Sequence, residues 1–227
     1  MKKPKPPAIT HLLAIMARLR APDGCPWDRE QDHHTLRWHA VEEVYELMDA
    51  IEAGDDHEMV EELGDLLMQV VFHCQLARER GAFDFEQVAA GIADKLVRRH
   101  PHVFGETKVS GSAEVLVNWE QIKRAEKHGT RHARPSALDG VPTRLPALLR
   151  AEKLVKKARR AGLEAPQAGR KLTRAALARE LFDLAGMAQA QGWSAEDLLR
   201  AESRRRERAW RTTERRLAAQ KEKAAGP

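Results

Sequence analysis

Acidic residues at helical spacing are the feature of this sequence that most clearly suggests chemistry. Residues 38–77 contain eleven acidic side chains and neither lysine nor arginine. Within this stretch Glu43 and Glu46 are three residues apart, and so are Glu62 and Asp65. Residues three apart lie on the same face of an α-helix. Each pair therefore predicts two carboxylates that project from one helix face.

The apolar residues around these pairs predict two helices. A period of 3.6 residues runs from Val41 to Ile51 and again from Val60 to Val71, and Gly54 between them is a stop signal. So short a connection makes the helices antiparallel neighbours, and the four carboxylates can converge. Carboxylate oxygens suit hard divalent cations, above all Mg²⁺, which usually also bridges to substrate phosphates. The helix pair is predicted to bind Mg²⁺, with Mn²⁺ as a substitute.

A solvated surface is the alternative explanation for so many acids. It is sufficient for four of them: Asp49, Glu52, Asp56 and Glu58. It does not suffice for Asp65, because the apolar residues between 63 and 68 predict that this carboxylate is buried. Burying an unpaired carboxylate costs several kcal/mol. A metal ion, or a basic residue from elsewhere in the fold, must then compensate the charge of Asp65.

Composition indicates one or two helical domains. The 227 residues are 42% hydrophobic and only 5% aromatic, which is enough chain for a core. No run reaches the 18 apolar residues of a membrane span, and the N-terminal MKKPKPP lacks the pattern of a signal peptide. We therefore expect a cytoplasmic protein without a membrane partner. Cys25 and Cys74 are isolated, which favours neither a disulfide framework nor a zinc site.

The charge is distributed unevenly along the chain. Residues 131–227 hold 23 basic and 11 acidic residues, a net charge of +12, whereas residues 1–130 hold 16 basic and 23 acidic residues, a net charge of −7. A Gly- and Pro-rich segment without helical period separates the two halves. The sequence therefore predicts a domain at 1–130, a linker at 131–143 and a second domain at 144–227.

Further helices are predicted on either side of the acidic pair. One covers about 10–20, and the Pro- and Gly-containing connector after it places Trp27 on a loop, as a packing anchor or a substrate wall. Another begins at Asp84 and carries basic residues at its end. Lys95 and Arg99, one turn apart, could complement the helix dipole or bind phosphate. A last helix is predicted at 113–128.

Five sequence blocks resemble the MazG family of nucleoside triphosphate pyrophosphohydrolases in their order and spacing. They are GCPWDREQ at 24–31, EEVYE at 42–46, EELGD at 61–65, DKLVRRHPHVFG at 94–105 and NWEQIKRAEK at 118–127. The similarity covers roughly residues 9–150. It implies an all-α helical bundle, usually dimeric, in which Mg²⁺ is held by the two acidic motifs.

The resemblance also implies roles for individual residues. The metal ligands would be Glu43, Glu46, Glu62 and Asp65. Substrate contacts would come from positions around the acidic core: His39, Lys95, Arg98, Arg99 and Trp119. The implied reaction is hydrolysis of a nucleoside triphosphate to the monophosphate and pyrophosphate by water attack at the α phosphorus. Mg²⁺ can acidify a bound water and bridge phosphate oxygens, and Glu42 or Glu61 is the candidate catalytic base. Base preference is not readable, since aromatic stacking accepts any base.

Two other classes of protein are alternatives to this enzyme. A di-iron bundle would use paired Glu-x-x-His motifs on core helices, and the only such spacing joins Glu30 to His33 in the connector. A non-catalytic module that binds nucleic acid or another partner would use the basic second half, where ten lysines and arginines lie between residues 200 and 223. Four acids interrupt that run, so a solvated helix explains it equally well: Glu202, Glu207, Glu214 and Glu222. No nucleic-acid partner is expected.

The second half resembles a degenerate copy of the first. Residues 177–210 are similar to 59–99, and Glu180 and Asp183 match the second acidic pair. The helix that should face them, within 146–172, has no Glu-x-x-Glu and is rich in lysine and arginine. We therefore expect a catalytically dead domain in which basic residues pair with Glu180 and Asp183. The apolar faces of the first half predict a homodimer with the acidic helices at its centre.

Overall fold

The computed structural model describes residues 6–130, 133–165 and 172–224. Every regular element in these ranges is a helix, which confirms the all-α prediction. In chain order the helices are α1 Ala8–Leu19, α2 Pro26–Glu30, α3 His39–Ala53, α4 Asp56–Glu79, α5 Phe85–Arg99, α6 Pro101–Phe104, α7 Ser112–Ala125, α8 Ala147–Arg160, α9 Arg174–Ala190 and α10 Ala195–Ala224. None of these helices is long and apolar enough to span a bilayer.

The chain divides into two compact units, with the division between Val115 and Leu116, inside α7. Of the predicted linker, the described residues 133–143 fall within the second unit. Leu138 is buried there against Leu154 and Trp210, because its irregular segment packs onto α8 and α10. Residues 131 and 132 of that linker lie outside the described residues, as do 166–171 and 225–227 of the predicted second domain. The assignment of a catalytic domain and a degenerate copy stays a prediction.

The core of the first unit is formed by α1 and the C-terminal half of α4. Met16, Leu36, Val71 and Phe72 are almost fully buried and pack together. At the edge of this core the Arg20 guanidinium donates two hydrogen bonds to the Glu79 carboxylate, each 2.7 Å long. These hydrogen bonds lower the pKa of Glu79. The pairing therefore fixes α1 on the half of α4 that lies beyond the acidic motif.

The antiparallel pair predicted from the acidic motifs is formed by α3 and α4, which pack closely along their length. Gly54 ends α3 with a backbone φ of 69°, a left-handed conformation that glycine adopts without steric cost. The side chain of Asp55 then caps α4 by accepting hydrogen bonds from the backbone N–H groups of His57 and Glu58. The turn is thus as short as predicted, and it brings the two acidic faces together.

Several predictions about burial and local structure are wrong. Asp65 is half-buried rather than buried, because its apolar neighbours Leu63 and Leu67 are 49% and 40% exposed. The apolar stripe of α5, which its helical spacing predicts to point inward, is also exposed, since α5 packs against little of α4: Val88, Ile92, Leu96 and Val97. Trp27 lies on the short helix α2 rather than on a loop, because Pro26 can start a helix at its first position.

A histidine pair connects the segment before α3 to α4. The Nδ1 atoms of His33 and His73 are 2.8 Å apart and their rings are nearly parallel, so one ring donates a hydrogen bond to the other. The His33 Nε2 atom is buried without a hydrogen-bond partner in the described part of the chain. Two neutral rings satisfy this contact, whereas two protonated rings would repel each other.

We expect this pair to make the protein less stable in acid. Burial, followed by the charge of His33, lowers the pKa of His73 below its usual value. A histidine with a lowered folded-state pKa stabilises the fold above its unfolded pKa of about 6.5 and loses that contribution as the pH falls. We measure the free energy of unfolding in urea at pH 7.5 and at pH 5.5. It should fall less between these two pH values in His73→Gln than in the wild type. An equal loss in both proteins would contradict this role for His73.

The second unit is organised by α8 and α10. Arg150, Leu154 and Ala158, at intervals of four, form the buried stripe of α8, and Ser203 and Trp210 lie on the buried stripe of α10. The similarity between the two halves of the sequence predicts that α8 faces α9. Instead its main packing is against α10, because the buried stripe of α8 fits the stripe that contains Trp210.

A buried ion pair crosses this packing. The Arg150 guanidinium donates to Glu207 at 2.6 Å, and the two side chains are 4% and 17% exposed. Arg211 contacts the other Glu207 oxygen at 2.8 Å and also Asp139 at 2.8 Å. Burial raises the pKa of Glu207, but hydrogen bonds from Arg211 and Arg150 outweigh it and leave the pKa lowered.

Candidate functional site

Three carboxylates from α3 and α4 converge in the first unit. One oxygen each from Glu43, Glu62 and Asp65 can be chosen so that all lie within 4.8 Å of one another. All three residues are half-buried. They belong to the two pairs predicted from spacing, and the turn at Gly54 is what brings α3 and α4 into register. This arrangement offers several oxygen ligands on one side to a small cation.

The electrostatics of this carboxylate cluster are unfavourable without a positive charge. Burial is the largest cause that raises the pKa of Glu43, and the charges of Asp65 and Glu46 raise it further. Burial likewise raises the pKa of Glu62, followed by the charges of Glu46, Asp65 and Glu43. The largest charges acting on both groups are therefore acidic. A divalent cation would relieve this mutual repulsion.

Glu46 lies close to this cluster although it is not one of its three converging members. Its side chain is exposed on α3, and it also shares a hydrogen bond with Glu43 that raises the pKa of Glu43. A modest rotation of an exposed glutamate would bring a fourth carboxylate to the site. Its assignment as a metal ligand stays a prediction.

The candidate bases are exposed glutamates on the two helices that carry the cluster, Glu42 on α3 and Glu61 on α4. Glu61 is exposed and contributes to the raised pKa of Glu62; it also groups with His57 and Glu58 at the start of α4. Glu42 is exposed, and its Oε2 atom lies 3.7 Å from His39 Nδ1. His39 in turn packs edge to face against the Trp27 ring, with 6.2 Å between ring centroids. Both glutamates are open to water, which a catalytic base requires.

Gln69 is a member of the site that sequence reasoning missed. Its side chain is only 4% exposed, and its amide nitrogen donates to Glu43 Oε1 at 3.3 Å. This hydrogen bond lowers the pKa of Glu43 against the larger effect of burial. A detectable signal existed, because Gln69 follows Glu62 and Asp65 by seven and four residues and so continues their stripe on α4.

Apart from His39 on α3, the predicted substrate contacts lie outside α3 and α4. Lys95 is half-buried, Arg98 is exposed and Arg99 is buried, all near the end of α5 in the first unit. Trp119 belongs to the second unit, where Lys123 Nζ lies 5.0 Å from the centre of its ring. Their roles in binding substrate stay predictions.

The donor set fits Mg²⁺ or Mn²⁺, because it consists of carboxylate oxygens beside a polar amide. We expect Mg²⁺ to raise the melting temperature of the protein, since it binds the folded carboxylate cluster and removes its repulsion. The free energy of unfolding should increase by about 2.7 kcal/mol when the Mg²⁺ concentration is a hundred times its dissociation constant. Thermal melting of Glu43→Gln should show a much smaller shift with Mg²⁺. An equal shift in both proteins would place the cation elsewhere.

Comparison with known proteins identifies similar chains. A family model described as the MazG nucleotide pyrophosphohydrolase domain matches residues 31–104. The nucleoside triphosphate pyrophosphohydrolase of Escherichia coli K12 is 50% identical over 157 residues, which are 69% of this chain and 59% of that protein. The nucleoside triphosphate pyrophosphohydrolase/pyrophosphatase MazG of Thermotoga maritima is 44% identical over 153 residues, 67% of this chain and 57% of that protein.

A solved structure is also similar. The crystal structure of a mazG-related protein from Thermotoga maritima has 26% identity and a TM-score of 0.43, covering 50% of this chain and 97% of that one. The chain studied here spans less than two thirds of the length of the E. coli and T. maritima proteins it matches in sequence.

Proposed function

Because residues 31–104 of this chain belong to the MazG nucleotide pyrophosphohydrolase domain family, we propose that the protein hydrolyses nucleoside triphosphates to nucleoside monophosphates and pyrophosphate. The observation that carries the proposal is the convergence of Glu43, Glu62 and Asp65 within 4.8 Å of one another. A divalent cation bound there supplies charge neutralisation for the phosphates and acidifies a bound water. We propose that it acts in the cytoplasm.

The residues around the carboxylate cluster have separable tasks. Glu43, Glu62 and Asp65 bind the cation, with Glu46 as the fourth ligand, and Gln69 orients Glu43 through its 3.3 Å hydrogen bond. Glu42 or Glu61 accepts the proton of the attacking water, since both carboxylates are exposed on the helices that carry the cluster. Water then attacks the α phosphorus and pyrophosphate leaves with the bond electrons.

The substrate-binding residues neutralise and position the triphosphate. Lys95, Arg98 and Arg99 offer charged donors suited to phosphate oxygens. His39, which already contacts Trp27, would lie beside the nucleoside, and the Trp27 ring would stack on the base. Stacking of this kind does not select one base over another. We therefore propose a broad nucleotide range.

A panel of nucleoside triphosphates with Mg²⁺, with products resolved as pyrophosphate or orthophosphate, tests this function. The expected products are equal amounts of monophosphate and pyrophosphate, with Mn²⁺ replacing Mg²⁺ and with loss of activity in EDTA. Orthophosphate as the sole product from phosphatase-free protein would overturn the proposal.

A homodimer accounts for the exposed apolar surface of α3 and α4. Their exposed residues include Val44, Met48, Val60 and Leu63, with Val60 73% exposed. Apolar patches of this extent usually mark an interface. We propose that two copies pack through these helices. Light scattering at micromolar concentration should show twice the 25.6 kDa mass of the chain, and a monomer would contradict the proposal.

We also propose that the second acidic pair, Glu180 and Asp183, takes no part in catalysis. In the described part of the second unit no group of three metal-binding side chains forms around them, whereas such a group forms in the first unit. The double variant Glu180→Gln/Asp183→Asn should keep wild-type pyrophosphate release. A tenfold loss of activity in a folded double variant would show that the second half is catalytic.

A further inference from the structure

Two acidic residues of α10 are hydrogen-bonded to the segment before α8 and to the start of α8. Glu196 accepts hydrogen bonds from the backbone N–H of Ala147 at 2.9 Å and pairs with Arg200. Glu214 accepts from Ser136 Oγ at 2.5 Å and from the N–H of Ala137 at 2.8 Å.

Two more of the acids that interrupt the basic run of α10, Glu202 and Glu207, form ion pairs with arginines. Glu207 is held by Arg150 and Arg211. Glu202 pairs with Arg205 and Arg206, and hydrogen bonds from these two arginines lower its pKa to about 2. Glu207 and Glu214 thus have their charge satisfied inside the unit, and Glu202 is paired with Arg205 and Arg206 of α10 itself. In the described ranges none of the three is paired with another exposed arginine of α10.

Four further arginines lie outside the buried stripe of α10. Arg204, Arg208, Arg215 and Arg216 are exposed. Arg204, Arg208 and Arg215 are spaced by four and seven residues, which places them within about 40° around the helix, and Arg216 lies about 100° further round beside Arg215. In the described ranges none of the four has a carboxylate within ion-pair distance; Arg215 contacts only Arg211 O and Thr212 Oγ1 at 3.3 and 3.5 Å. We call this set the outer arginine stripe.

The stripe is suited to a regular row of phosphates. Its aligned part, from Arg204 to Arg215, extends about 17 Å at 1.5 Å per residue. Duplex nucleic acid carries one negative charge per about 1.7 Å of its axis, so several phosphates lie along that length. Arginine binds phosphate oxygens with two parallel N–H donors. Charge complementarity over this length exceeds what a single small phosphate ligand would use.

The neighbours of the stripe favour a duplex over other polyanions. Ala209 and Thr212, between the arginines, are small or polar, whereas a membrane-binding helix needs large apolar residues to insert. Trp210 is buried on the other face, so the stripe carries no aromatic ring on which single-stranded bases could stack.

We propose that the outer arginine stripe of α10 binds the phosphate backbone of duplex nucleic acid without reading its sequence. This surface is independent of the carboxylate cluster. The proposal differs from the sequence-based expectation of no nucleic-acid partner. That expectation was based on the four acids that interrupt the basic run of α10. Binding through backbone contacts alone is non-specific and depends steeply on salt.

The test uses the full chain and a fluorescein-labelled 25-base-pair duplex, with binding followed by fluorescence anisotropy. Four phosphate contacts predict that affinity falls by about a hundredfold between 50 and 200 mM salt. The variant Arg204→Gln/Arg208→Gln/Arg215→Gln/Arg216→Gln should bind at least tenfold more weakly at 50 mM salt. Its melting curve and its pyrophosphate release should match the wild type, which separates this test from that of the proposed function.

A matched control removes the same number of charges from the same unit. Lys153, Lys156, Arg159 and Arg160 are exposed on α8, and their simultaneous replacement by glutamine should leave duplex binding within about twofold of wild type. Equal losses in the two variants would show attraction by net charge alone and overturn the proposal. So would the absence of duplex binding at 50 mM salt, or tighter binding to anionic vesicles or to single strands.

Discussion

Replacing Glu62 by glutamine is expected to lower the rate of pyrophosphate release by at least about a hundredfold. The substitution removes one of the three converging carboxylates, and with it a cation ligand and part of the charge that organises the transition state. Glu43→Gln should have an effect of the same size. Steady-state rates at saturating Mg²⁺ and a fixed nucleotide concentration measure both variants.

The fold should survive these substitutions. Burial and the neighbouring acids raise the pKa of Glu62, so the charged carboxylate destabilises the cation-free protein near neutral pH and ceases to do so when protonated. Glu62→Gln should therefore melt at or above the wild-type temperature without Mg²⁺. Glu52→Gln, on the exposed end of α3, is the matched control and should keep full activity. Full activity in both Glu43→Gln and Glu62→Gln would disprove the cation site.

The second large effect concerns stability. Glu207→Gln is expected to destabilise the packing of α8 on α10 by about 3–5 kcal/mol, because it leaves the buried Arg150 charge without its partner. Hydrogen exchange of the α8 backbone amides in the full chain measures this loss of stability, because local unfolding of α8 makes its amides exchange faster.

Arg150→Met should destabilise the packing of α8 on α10 less than Glu207→Gln does. Glu207 would still be neutralised by Arg211 at 2.8 Å, and the Arg150 Nε and Nη1 atoms, buried without hydrogen-bond partners in the described ranges, would be gone. Equal losses in the two variants would mean that the ion pair does not determine the stability of this packing.

The carboxylate cluster was predictable because its causes are local. Spacing of three residues defines the acidic faces, and Gly54 with Asp55 defines the turn, so α3 and α4 could be paired from the sequence. Gln69 could have been found by extending the stripe of Glu62 and Asp65 along α4. Each of these inferences depends only on helix geometry and on residues adjacent in the chain.

Burial and helix partners were less predictable because they depend on distant surfaces. The apolar residues around Asp65 indicated a buried carboxylate, yet Leu63 and Leu67 have no covering element within this unit. An apolar face cannot tell a core from an interface. The stripe of α8 likewise shows that the helix is packed, but not whether α9 or α10 covers it. The sequence of α10 alone also could not show that Glu207 and Glu214 point into the unit while the outer arginine stripe faces solvent.

The most direct test of the account is hydrolysis of a nucleoside triphosphate in ¹⁸O-labelled water with Mg²⁺, with the products analysed by mass spectrometry. Water attack at the α phosphorus predicts that one ¹⁸O atom enters each nucleoside monophosphate and that the pyrophosphate is unlabelled. Label in the pyrophosphate, or release of labelled orthophosphate in its place, would contradict the reaction proposed for Glu43, Glu62 and Asp65.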